Sequence, residues 1–162
     1  MRKQIVVVAP HPDDEIIGTF EILNRTKWSS VWYAEKVDKR RENDALKISD
    51  MLDVFTLSFF RGNYNSLRKK IKKIKESTYY FPDPYFETHP AHRAIGAIGE
   101  EFLRKGWDIV FYSTNMQAPY IHEVKNLKAK EMCLNHLYFS ERSLWEFEKK
   151  YILFEGYNKW IL

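Results

Sequence analysis

The chain has 162 residues, 26 Lys and Arg against 22 Asp and Glu, a net charge of +4 and one cysteine. That length suits a single domain over residues 1–162, and a lone Cys133 excludes an internal disulfide and any thiolate metal cluster. The charge favours anionic partners without establishing nucleic-acid binding, and the apolar run near the start is too short and too soon acidic for a signal peptide or a membrane span, so a cytoplasmic protein is expected.

Residues 5–9 (IVVVA) are apolar and mostly β-branched and predict a buried strand. Ile16, Ile17, Phe20 and Leu23 recur at helical spacing and predict a helix over 14–24. A second strand is expected over 30–35. A helix over 39–52 carries Ala45, Ile48 and Leu52 on one side. A third strand over 54–60 ends at the turn Gly62-Asn63. Leu67, Ile71 and Ile74 then mark a basic amphipathic helix. Its lysines read as a solvated face rather than a nucleic-acid surface, because the apolar residues keep the helical period. Residues 79–81 suggest a short strand and 82–92 a loop. Helices follow over 93–104 and 124–137, with a strand over 108–113 between them and a closing strand near 151–154. This alternation predicts an α/β fold, a mostly parallel sheet with helices on both faces. There is no glycine-rich phosphate loop, so nucleotide binding is not expected.

Two segments carry chemistry. His11-Pro12-Asp13-Asp14-Glu15 follows the first strand, and His89-Pro90-Ala91-His92 closes the loop after residues 79–81. Ligands of such sheets sit beyond the carboxyl ends of the strands. Buried acids beside a core strand need compensation, and a divalent metal at the strand end would supply it. Two histidines and a carboxylate suit a catalytic zinc with one open position, although the same donors also accept iron, cobalt or nickel. A nearby carboxylate then serves as general base, and a further histidine as acid or oxyanion donor. Read singly, each segment is weaker. Asp13 and Asp14 also suit a helix N-terminus, and surface loops often carry histidines.

Ala9-Pro10-His11-Pro12-Asp13-Asp14-Glu15 resembles the (A)HPDDE motif of the PIG-L/LmbE family of zinc-dependent N-deacetylases, with one extra proline between alanine and histidine. His89-Pro90-Ala91-His92 is similar to the family's HPDH, with Ala91 at the aspartate. Weaker likenesses are Arg41-Glu42 with Ala45, Lys130 with residues 133–140, and residues 151–157 with Glu155. The resemblance implies a Rossmann-like three-layer sandwich and a Zn2+ held by His11, Asp14 and His92. It implies Asp13 as the general base and His89 as the group that stabilises the oxyanion or assists the leaving amine. The implied substrate is an acetylated amino sugar of the N-acetylglucosamine type or its conjugate. Successive side chains at a strand end point different ways, which would give the adjacent aspartates different tasks. Ala91 removes a carboxylate that tunes a neighbouring histidine. The chain is short for the family and lacks its Thr-x-Gly turn after the second strand, which leaves either an open site or one completed by a neighbouring subunit in a homo-oligomer.

Tyr85, Asn115 and His122 are candidate substrate contacts. Tyr85 lies among aromatics that could stack on a sugar or simply pack the loop. Asn115 and His122 follow the 108–113 strand, and His122 reads equally as an extra histidine near the metal or as a surface residue. The five tryptophans are expected in the core or an interface. The competing reading is a non-catalytic metal-bearing module that recognises a sugar or nucleic acid, favoured by Ala91 and the short length.

Overall fold

The computed structural model describes residues 3–137 and 153–159. Its elements run β1 (Gln4–Ala9), α1 (Asp14–Arg25), β2 (Ser29–Tyr33), α2 (Lys39–Met51), β3 (Thr56–Phe59), α3 (Tyr64–Lys73), β4 (Ser77–Pro82), α4 (Pro90–Leu103), β5 (Ile109–Ser113), β6 (Tyr120–Glu123), α5 (Leu127–Met132) and β7 (Phe154–Tyr157). The last turns of α5 continue as a π-helical turn over Cys133–Leu137.

One seven-stranded sheet has the order β3-β2-β1-β4-β5-β7-β6. The first five strands of that order pair in parallel, and β7 runs antiparallel to both β5 and β6. Strand β1 lies in the sheet's interior, between β2 and β4, and both its faces are apolar. Val7 and Ala9 join a core cluster with residues of α1, α2 and the Cys133–Leu134 turn. Val6 and Val8 join a second cluster on the other face with α3 and α4. Helices therefore cover both faces, as the alternation predicts. The chain order reverses between β1 and β4, so the loops leaving their carboxyl ends flank one crevice.

Several expected elements differ in extent. Helix α4 starts at Pro90 rather than residue 93, because proline at the first helical position has the right φ and no N–H to leave unsatisfied. The expected 124–137 helix begins only at Leu127. Val124 instead donates its N–H to the Leu153 carbonyl and extends the sheet edge. Strand β6 was not expected; only His122 of its residues is buried, so it has no apolar alternation to read. The closing strand lies at Phe154–Tyr157, displaced from 151–154, of which residues 151 and 152 lie outside the described residues. The basic helix α3 buries Leu67 and Ile71, and its Lys70 ammonium sits 4.7 Å over the Trp32 ring. Trp32 is in the core, whereas Trp28 is 59% exposed and packs on Phe55. Trp145 and Trp160 lie outside the described residues. No helix among the described residues is long and apolar enough to cross a membrane.

Candidate metal centre

The turn after β1 sends its two aspartates apart. Asp13 has φ 120°, a conformation that L residues rarely adopt and that costs on the order of 1–3 kcal/mol. Its carbonyl accepts the N–H groups of Ile16 and Ile17, each at 2.9 Å, so Asp13 opens α1 while Asp14 is already helical. Glu15 holds the turn by accepting the Asp13 N–H at 2.9 Å. The divergence of the two side chains thus comes from this left-handed turn, not from strand alternation.

Asp14 turns back toward His11 and across to α4. Its Oδ2 accepts the His11 backbone N–H at 2.9 Å. The same oxygen lies 3.3 Å from His11 Nδ1 and 3.2 Å from His92 Nε2. One ligand atom from each of His11, Asp14 and His92 lies within 4.8 Å of the others. Tetrahedral zinc with bonds near 2.05 Å separates its ligand atoms by about 3.3 Å, so both Asp14 contacts already have the length of a coordination edge. The donor set is therefore fit for zinc or a similar divalent ion.

The electrostatics point the same way. Asp13, Asp14, Glu15 and Glu87 are all at most 5% exposed and cluster on one rim. Burial pushes the Tyr112 hydroxyl well above its ordinary pKa, and these carboxylates push it further. Such a concentration of buried negative charge calls for cations. Burial alone would lower His92, but Asp14 and then Glu87 outweigh it and raise its pKa to about 10. Burial pulls Asp14 upward, yet His92 and His11 hold it well below the usual carboxylate range.

His89 is exposed at the N-terminus of α4, where its Nδ1 accepts the Ala91 N–H at 3.2 Å. A backbone N–H only donates, so the neutral His89 ring carries its hydrogen on Nε2. Its ring centroid is 5.6 Å from that of His11 and 5.0 Å from that of His92. Three imidazoles therefore gather at the crevice, with the outermost free to donate from Nε2.

Asp13 faces the first turn of α2. Arg41 Nη2 donates to Asp13 Oδ2 at 2.9 Å and to the Pro12 carbonyl at 2.8 Å. Asp38 caps α2 by accepting the Arg41 N–H at 2.9 Å, which sets the arginine at this point.

The remaining candidates take other places. Tyr85 is 72% exposed and its hydroxyl donates to Glu100 Oε1 on α4 at 2.6 Å. Asn115 stays beside the crevice, where its Nδ2 donates to the Phe86 carbonyl at 2.6 Å. His122 is buried on β6 with its ring 5.7 Å from that of Tyr157. Glu87 and Thr114 were not expected. Glu87 Oε2 lies 3.1 Å from His92 Nδ1, and Thr114 Oγ1 lies 3.3 Å from the same nitrogen. A lone glutamate in a loop has no periodicity or motif, so only its neighbours in space reveal it.

No known family profile and no curated protein matches the chain. Solved structures do match in fold. The N,N'-diacetylchitobiose deacetylase from Pyrococcus horikoshii is 17% identical, with a TM-score of 0.66 over 96% of this chain and 82% of that one. A deacetylase of the teicoplanin biosynthesis pathway is 11% identical, with a TM-score of 0.73 over 88% of this chain and 86% of that one. The 4-carboxy-2-hydroxymuconate hydratase GalB from Pseudomonas putida KT2440 is 10% identical, with a TM-score of 0.69 over 92% of this chain and 84% of that one. The chain therefore lacks less than a fifth of the length of each of these neighbours. Its fold is that of solved deacetylases of the PIG-L/LmbE type.

Proposed function

We propose that the protein is a metal-dependent amide hydrolase that removes the N-acetyl group from an N-acetylglucosamine-type sugar or conjugate. The observation that carries this reading is the convergence of His11, Asp14 and His92 to within 4.8 Å at the point where the sheet order reverses. The deacetylase neighbours support the choice of reaction. The hydratase neighbour shows that this fold serves other chemistry as well, so the reaction is argued from the side chains.

A zinc ion held by His11, Asp14 and His92 would lower the pKa of its water to about 7 and polarise the acetyl carbonyl. Asp13 acts as the general base. Arg41 pins its Oδ2, and the carboxylate accepts the proton of the attacking water. That proton then passes to the leaving nitrogen as the C–N bond breaks, giving acetate and a free amine. His89 donates its Nε2 hydrogen to the oxygen that gains charge as the carbonyl carbon becomes tetrahedral.

The test is amine release from N-acetylglucosamine derivatives and N,N'-diacetylchitobiose, before and after chelation and with zinc restored. The expected result is turnover that chelation abolishes and zinc recovers. His11→Ala and His92→Ala should lose the bound metal, whereas Asp13→Ala should keep it and lose turnover. Undiminished turnover in Asp13→Ala would overturn the assignment of the base.

A further inference from the structure

We propose that Glu87 is the positioning residue that sets the ring orientation and tautomer of His92 for metal binding. This inference rests on the metal reading given above and concerns a residue that the sequence motifs do not contain.

His92 presents both ring nitrogens to carboxylates. Nε2 faces Asp14 Oδ2 at 3.2 Å, and Nδ1 faces Glu87 Oε2 at 3.1 Å. A histidine that coordinates through Nε2 needs a lone pair there, which puts its one hydrogen on Nδ1. An acceptor on the Nδ1 side makes that tautomer the favoured one and holds the ring plane toward the ion. Ala91 offers no such acceptor, and the carboxylate arrives instead from the loop between β4 and α4.

Glu87 is itself held in place. Its Oε1 accepts the N–H of Thr114, and the Thr114 hydroxyl lies 3.0 Å from Oε1 and 2.9 Å from Oε2. Thr114 directly follows β5. Glu87 is 4% exposed and His92 7%, so water does not compete strongly for these bonds. The glutamate links the carboxyl end of β5, its own loop and the first turn of α4, and it directs one oxygen at the metal-binding histidine. A carboxylate that served only to tie the loop to β5 would have no need to face Nδ1.

The experiment compares the affinity of purified wild-type protein and its variants for zinc and for cobalt(II). Affinity is read by competition with a chromophoric chelator, and the cobalt(II) absorption spectrum reports ligand geometry. Glu87→Ala should weaken metal binding by roughly 10- to 100-fold and alter the cobalt spectrum. Glu87→Gln keeps the shape and one acceptor oxygen, so it should weaken binding less than Glu87→Ala, and still measurably because that oxygen cannot serve both Thr114 and His92; this variant carries the test if Glu87→Ala does not fold. Asp83→Ala is the comparison. Asp83 Oδ1 accepts the N–H groups of Tyr85 and Phe86 in the same loop, so removing that acceptor should loosen the loop and leave metal affinity unchanged.

Equal affinity and an unaltered spectrum in both Glu87 variants overturn the positioning role while leaving the metal reading intact. A loss in Asp83→Ala equal to that in Glu87→Ala assigns the effect to loop anchoring and also overturns it. Failure of the wild-type protein to bind either ion overturns the metal reading and this inference together.

Discussion

Arg41 Nη2 lies 2.9 Å from Asp13 Oδ2, which joins the first turn of α2 to the strained turn after β1. The Asp13 side chain is 7% exposed and that of Arg41 20%. Removing one partner of a fully buried pair costs about 3–5 kcal/mol, and the partial exposure of Arg41 reduces this. Arg41→Ala is expected to destabilise the fold by about 2 kcal/mol and to lower turnover while the protein still binds metal. Arg41→Lys should recover only part of the activity, since a single ammonium does not reproduce the planar fork. Thermal melts, metal content and amine release on the same preparations check this, and full turnover in Arg41→Ala would contradict it.

The Asp14–His92 pair gives the metal-free protein a defined pH dependence. His92 is raised from 6.5 to about 10 on folding, so its contribution is complete below pH 6.5, declines above that and is gone beyond about 10. Asp14 is lowered from 3.8, so its contribution is complete above pH 3.8 and is lost as pH falls through its lower folded value. Chelator-treated protein should therefore gain most from this pair between about pH 4 and 6.5. His92→Asn should flatten the alkaline side of the melting-temperature profile. An unchanged profile in that variant would remove the pair as its cause.

Lys130 and Glu155 form a buried pair at 3.1 Å, with side-chain exposures of 0% and 1%. The Lys130 ammonium also donates to the Ile17 carbonyl at 2.9 Å, and the Tyr157 hydroxyl donates to Glu155 at 2.8 Å. These bonds tie α5 and β7 to α1. Lys130→Ala leaves Glu155 without its cation and should cost about 3–5 kcal/mol. Denaturant unfolding measures the loss, and a change below 1 kcal/mol, about the worth of an exposed pair, would show that the remaining bonds suffice for Glu155.

Gly96 sets how closely α4 approaches β4. A Cβ there would lie 2.4 Å from the Pro82 carbonyl oxygen and 2.8 Å from Pro84 N. Both are backbone atoms with little freedom to retreat. Gly96→Ala should destabilise by about 1–3 kcal/mol, despite alanine's better helix propensity. It should also weaken metal binding, because His92 lies one turn earlier on the same face. A melting curve and a metal titration test both halves, and a stabilised variant would mean that α4 has room to shift.

Legibility in the sequence followed the range over which each physical cause acts. The strand at Gln4–Ala9, the helix that follows Asp13 and the parallel α/β arrangement depend on apolar periodicity and local turn chemistry. Pro90 reads along the chain as a loop residue, and only the packing of α4 makes it a helix start. Strand β6 is illegible in the sequence because an exposed edge strand has no apolar pattern to obey. Of the candidate site, His11, Asp14, His89 and His92 stand in short motifs, and the crevice brings them together. Glu87 and Thr114 stand in none.

By itself, then, the sequence determined which residues could form the core strands and which two segments carry metal-binding side chains, since both properties lie within a few consecutive residues. Only the tertiary structure decided that Arg41 holds Asp13, that Glu87 faces His92 and that Lys130 meets Glu155. Each of those contacts is a charge paired inside the protein, and its partner is selected by the packing of separate elements rather than by any spacing along the chain.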